Sequence, residues 1–240
     1  MRQGYRVVTL LAAFAAGPAF AASPATPGPE SALARFLSAP RGPSWRAEVV
    51  DIEASLPKLG KQGRFRAVKI STADGRPEYR DLTLEGDRTV RQQVIARYLS
   101  AEAAAADLPS SSVAFTPSNY RFRYRGSIQD GSGLVYIFDV TPRKKRTGLI
   151  RGQLWIDATR SVVRRQTGRL VRVPSIFLRR VSITRDTALR CGSAWQVTTH
   201  VEIETRLVGR AELTIIERPY QPQSDSQSEA EATQPQVDRN

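Results

Sequence analysis

A chain of 240 residues, 40% of them hydrophobic, is long enough for one well-buried domain, and its single cysteine excludes an intrachain disulfide. The formal net charge of +13 rests almost wholly on arginine, since lysine occurs only at positions 58, 61, 69, 144 and 145. One histidine and one cysteine are too few for a Cys/His zinc centre, whereas so many guanidinium forks favour partners that carry phosphate or carboxylate.

Arg2 and Arg6 precede an apolar run over residues 7–16, and Ala19-Phe20-Ala21 fits an A-x-A cleavage signature. Residues 1–21 therefore read as a removed signal peptide and the mature chain as periplasmic. The run is too short to span a bilayer, which takes about 20 residues as a helix. No cysteine lies at the cleavage point, so an N-terminal lipid anchor is not expected. Export also makes an anionic envelope surface a better partner than nucleic acid.

Residues 22–30 form a Pro/Ala-rich linker. Leu33, Phe36 and Leu37 then fall at helical spacing over residues 31–38, and Pro40 ends that helix. Residues 45–56 read as a strand with Val50, Ile52, Ala54 and Leu56 on one side. Residues 64–72 and 79–85 return after turns at 57–63 and 74–77, giving a meander. Over residues 89–99, Val90, Val94 and Tyr98 fit either a helix or one side of a strand, and both stay open. The alanine-rich residues 101–107 predict a helix with Ser100 as N-cap and Pro109 beyond its end.

From residue 120 strands dominate. Tyr120, Phe122 and Tyr124 alternate with Arg121, Arg123 and Arg125. Residues 134–140 and 148–156 form a hairpin whose loop carries Arg143, Lys144, Lys145 and Arg146. Strands over 161–173, 176–185, 194–205 and 210–218 follow. In the third of these, Trp195, Val197, Thr199, Val201 and Ile203 oppose Gln196, Thr198, His200, Glu202 and Glu204, the mark of an antiparallel sheet with one wet face. The domain thus runs over residues 31–218, and the polar residues 219–240 read as a disordered tail.

The chemistry-bearing side chains are few. His200 falls on a polar strand face, Cys191 in a turn, and Glu202 and Glu204 read as surface ion-pair partners. Asp139 and Asp157 sit near strand ends, where acids help form turns. No Gly-rich phosphate loop and no G-x-S-x-G elbow occurs, so neither catalysis nor a cofactor or metal is expected. The aromatic residues carry more. Trp45, Phe65, Phe122, Tyr124, Tyr136, Phe138, Trp155 and Trp195 lie on different strands, and a sheet curved around them would present a concave apolar wall. The alternative is an ordinary filled core.

The runs YIFDVTPRKKRTGLIRGQLWID (136–157), PSIFLRRV (174–181) and LVGRAELTI (207–215) resemble the C-terminal half of outer-membrane lipoprotein-sorting proteins. Those proteins belong to the broad superfamily of LolA, LolB and the N-terminal domain of RseB. The resemblance implies a mainly β fold, an open, strongly curved antiparallel half-barrel with short lid helices. It also implies that the cavity holds lipid or lipoprotein acyl chains, with no catalytic residues to carry over; a monomer is expected. The eight aromatics would then line the cavity, and Arg143 to Arg146 would meet an anionic headgroup or membrane surface. A sensor or scaffold of the RseB kind, holding no ligand, is the other expectation.

Overall fold

The computed structural model describes residues 27–39, 46–72, 76–131, 133–173, 178–190, 193–206 and 209–220. Helix α1 (Pro29–Ser38) is followed by strands β1 (Arg46–Leu56), β2 (Lys61–Ser71) and β3 (Pro77–Gly86). A helical segment comes next: α2 (Arg88–Val90), a π-helical turn (Arg91–Ile95), α3 (Ala96–Ala106) and the short α4 (Ser110–Val113). The remaining strands are β4 (Tyr120–Asp130), β5 (Gly133–Pro142), β6 (Ile150–Asp157), β7 (Val163–Leu170), β8 (Leu178–Arg190), β9 (Ser193–Thr205) and β10 (Arg210–Pro219).

All ten strands join one antiparallel sheet in the order β3-β2-β1-β10-β9-β8-β7-β6-β5-β4. The sheet does not close, so the fold is the expected mainly β, open curved half-barrel with short helices. The topology is two meanders zipped together by β1 against β10, with Ile52 opposite Ile215. Its free edges are β3 and β4. Each edge pairing is interrupted by a register shift, between Arg66 and Val68 on β2 and between Tyr124 and Gly126 on β4.

Period-two alternation decides which side of each strand is dry. In β2, Phe65, Ala67 and Lys69 are buried while Arg64 and Arg66 are exposed. The ambiguous residues 89–99 are helical. Asp87 supplies the cap, its Oδ1 accepting from the Thr89 and Val90 backbone N–H groups at 2.7 and 3.3 Å. Val90, Val94 and Ile95 are buried against β1 and β2, so packing settles what periodicity left open. Ser100 is not a cap. It lies inside α3, and its hydroxyl donates to the Ala96 carbonyl one turn back.

Candidate functional site

Cross-strand partners share a face, so the register traces one row of side chains across the whole sheet. It reads Leu84, Phe65, Ile52, Ile215, Thr199, Arg185, Gln166, Leu154, Phe138 and Tyr124. This is the inner face, covered by helices at both ends. α2, the π turn and α3 pack on β1–β3, and α1 packs on β6. Tyr136 Oη donates to the Pro27 carbonyl at 2.7 Å and Arg35 donates to the Ala158 carbonyl at 2.9 Å, which pins α1 at its end.

The predicted aromatic wall is therefore two walls. Phe65, 3% exposed, meets Tyr79 edge-on in the cluster under α2 and α3. Phe122, Tyr136 and Phe138 belong to a second cluster under α1, with Phe138 2% exposed. Tyr124 stands at the rim of that cluster, 45% exposed and tilted over Phe138. Seven strand spacings separate β2 from β5 in the sheet order, roughly 33 Å measured along the sheet at ~4.8 Å per strand.

Trp155 corrects the expectation outright. Ile137 lies opposite Trp155 while Phe138 lies opposite Leu154, so the indole projects from the outer face, away from Tyr136 and Phe138. Arg165 sits over its ring, 5.3 Å from the centroid. Trp45 and Cys191, like residues 1–21 and 221–240, lie outside the described residues. Trp195 lies in β9, with its side chain also outside them.

Between the two helical covers, β7, β8 and β9 present half-buried Gln166, Ile183, Val197 and Thr199 and exposed Arg185 on the inner face. The row beside this one reads Gly63, Ala54, Leu213, Val201, Ile183, Gly168, Gly152, Val140 and Phe122, apolar throughout. Gly152 and Gly168 face each other across β6 and β7. A methyl group on Gly152 would collide with the Thr167 carbonyl, and one on Gly168 would come within 2.7 Å of the Arg151 carbonyl. The pair lets the strands draw together and leaves a stretch of inner face without side chains.

The polar end of the inner face is organised around Lys69, only 8% exposed. Its ammonium bonds the Glu217 carboxylate and lies 3.4 Å from both Glu48 and Glu102. Glu102 comes from α3 and also accepts from the Tyr79 hydroxyl, so this cluster ties the helix to the sheet. Arg185 reaches Glu217 from β8 at 3.4 Å. Burial alone would lower the Lys69 pKa, but Glu217, followed by Glu102 and Glu48, holds it above the ordinary 10.5. Burial, then the bond to Glu102, pushes the Tyr79 phenol up from 10.0, and burial likewise raises Tyr98.

All three shifts have one sign. A group whose folded-state pKa is raised stabilises the fold fully below its unfolded value, and that contribution fades as pH climbs through the folded value. Stability is therefore expected to fall as pH rises above about 10. Urea midpoints at pH 8 and pH 11 check this. Tyr79→Phe should show a smaller drop between them, and equal drops would argue against the assignment.

The basic hairpin loop is only partly free. Arg143 donates to the Pro117 carbonyl at 2.7 Å and Arg146 to Asn119 Oδ1 at 2.6 Å, while Lys144 and Lys145 are exposed. The remaining chemistry candidates are on the outer face or in turns. His200 is exposed, its Nδ1 3.1 Å from the Thr214 hydroxyl, and Glu202 and Glu204 pair with Arg210 and Arg180. Asp139 accepts from Arg123 and Gln153. Asp157 holds the next turn through the Thr159 and Arg160 N–H groups.

An open depression of about 480 Å³ on the outer face is lined by Glu53, Gln62, Arg64, Glu85, Glu212 and Thr214, too polar to shelter an acyl chain. Among the described residues no group of His, Cys, Asp and Glu side chains is placed to hold a metal ion. Comparison with family models, curated proteins and solved structures finds no match.

Alternation did not single out the Lys69 cluster, yet it carries a readable signal. Glu48, Lys69 and Glu217 each continue the buried parity of their strands, beyond Val50, Ala67 and Ile215. A charge in that register has to find a partner.

Proposed function

We propose that the protein is an exported carrier that holds an apolar or acylated ligand against the inner face of its sheet. One observation supports this above the rest: between two helix-covered cores the inner face stays half-exposed. There the apolar row through Ile183 and the glycine pair runs beside the polar row through Thr199, Arg185 and Gln166. That division suits an amphipathic molecule, with its chain along the first row and its head toward Arg185 and the Lys69 cluster. Each methylene removed from water contributes about 0.8 kcal/mol, so a chain of ~14 carbons would bind well before losses. The leader-like residues 1–21 support a periplasmic setting, and the resemblance to lipoprotein-sorting proteins supports acyl chains as cargo. Arg143, Lys144, Lys145 and Arg146 are proposed to meet an anionic headgroup at the rim.

Lipid mass spectrometry on protein purified from a membrane-containing host tests the reading. Extracted lipid is expected from the wild type and little from Ile183→Asp. Protein that extracts clean and ignores an added fluorescent fatty acid would overturn the proposal. A second reading, an interaction module of the RseB kind without a ligand, is favoured by the burial of Phe65 and Phe138 in packed clusters. The clean-extraction result would select it.

A further inference from the structure

The sheet's outer face is divided by charge. Residues 120–173, which form β4 to β7 and their loops, carry thirteen Arg and Lys against three Asp, a net +10 of the chain's +13. On β8 to β10 of the same face, Glu202, Glu204 and Glu212 pair with Arg210 and Arg180. On β4 to β7 the acids run out. Asp139 takes Arg123 and Arg125, and Asp186 takes Arg165. Arg121, Arg151 and Arg169 are exposed and have no acidic partner among the described residues.

Arg151 and Arg169 are also directly opposite each other on β6 and β7. Like charges in that position work against the sheet, so folding alone does not explain the pair. Two guanidinium groups side by side form a ready site for a phosphate. On the same face Trp155 stands half-buried beside Ile137, with Arg165 over its ring. An indole beneath a cationic layer fits the headgroup region of a bilayer, where one end of the ring is dry and the other wet. Lys144 and Lys145 add exposed charge at the end of β5.

We infer that the outer face of β4 to β7 docks onto an anionic phospholipid surface, with Arg151 and Arg169 gripping phosphate and Trp155 entering the headgroup layer. This contact is on the opposite face from the proposed ligand row and does not depend on it. It also leaves that row facing away from the membrane that the protein touches.

The test is co-sedimentation of the full chain with vesicles of phosphatidylglycerol and phosphatidylethanolamine, and with vesicles of phosphatidylcholine alone. Binding is expected to the first and not to the second, and to weaken as salt shortens the screening length below ~10 Å. R151Q/R169Q is expected to weaken binding by ~30-fold or more while melting no lower than the wild type, because it relieves the opposed charges. R180Q/R210Q, an equal change of net charge on β8 and β10, should bind as the wild type does. Equal losses in both variants, or no binding to phosphatidylglycerol vesicles, would overturn the inference. So would full competition by a short DNA duplex at equal phosphate concentration, which would make the face a general polyanion site. None of these outcomes bears on lipid extraction, so the two proposals fail separately.

Discussion

Lys69→Met is expected to cost the fold about 3–5 kcal/mol, read as a large fall in the urea midpoint. The reason is the company that the ammonium keeps. Glu48, Glu102 and Glu217 converge on it from β1, α3 and β10, and its own side chain is 10% exposed. Without the lysine, the Glu102 and Glu217 carboxylates lose their ammonium in a poorly solvated place, where Arg185 still reaches Glu217. Removing both charges of the closest pair, Lys69→Met with Glu217→Leu, is expected to recover part of the loss, since much of the penalty comes from Glu217 losing its ammonium. A single variant as stable as the wild type would show that water reaches the cluster freely. Because Glu102 is the member on α3, the same change is expected to loosen that helix before the rest of the fold.

Gly152→Ala is the second large effect, at about 3 kcal/mol or more, measured by denaturation and by yield of soluble protein. The new methyl group would meet the Thr167 carbonyl and the Gly168 Cα, which are backbone and cannot swing aside. Relief requires β6 and β7 to separate where they join the α1-covered core to the rest of the sheet. Gly131→Ala, in the turn after β4 with nothing within 4 Å of the added carbon, is the control and should stay within about 0.5 kcal/mol. If Gly152→Ala behaves like the control, the strands are less tightly drawn together than their geometry states.

How far the chain could be read ahead of its structure varied with the reach of the interaction. β9 was legible because Val197, Val201 and Ile203 alternate with Gln196, Glu202 and Glu204, a pattern that needs no knowledge of neighbours. The basic loop between β5 and β6 was legible for the same local reason. Residues 89–99 were not, since Val90, Val94 and Tyr98 fit two periods, and their burial against β1 and β2 decided the matter. The alanine run points to a cap at Ser100, whereas Asp87 starts the helical segment well before it. The face of Trp155 was not legible because its strand has apolar residues at both parities, Leu154 and Ile156 against Trp155, and only pairing with Ile137 assigns it. The Lys69 cluster brings Glu217 to Lys69 from 148 residues away, beyond the range of any local pattern.

The zipping of β1 to β10 has a consequence for the order in which the molecule assembles. Glu48 lies opposite Pro219, so the core under α2 and α3 needs both the first strand and the last. The core under α1 draws instead on β4, β5 and β6, which are neighbours in sequence, together with α1 itself. Contacts between distant parts of a chain close late, because the loop between them must first give up its freedom. The hairpins from β4 onward can therefore form while β1 to β3 still wait for a partner. Until the last strand arrives, Val50, Ile52 and Phe65 would be open to solvent, and an emerging chain would have to keep that stripe from finding a second copy of itself.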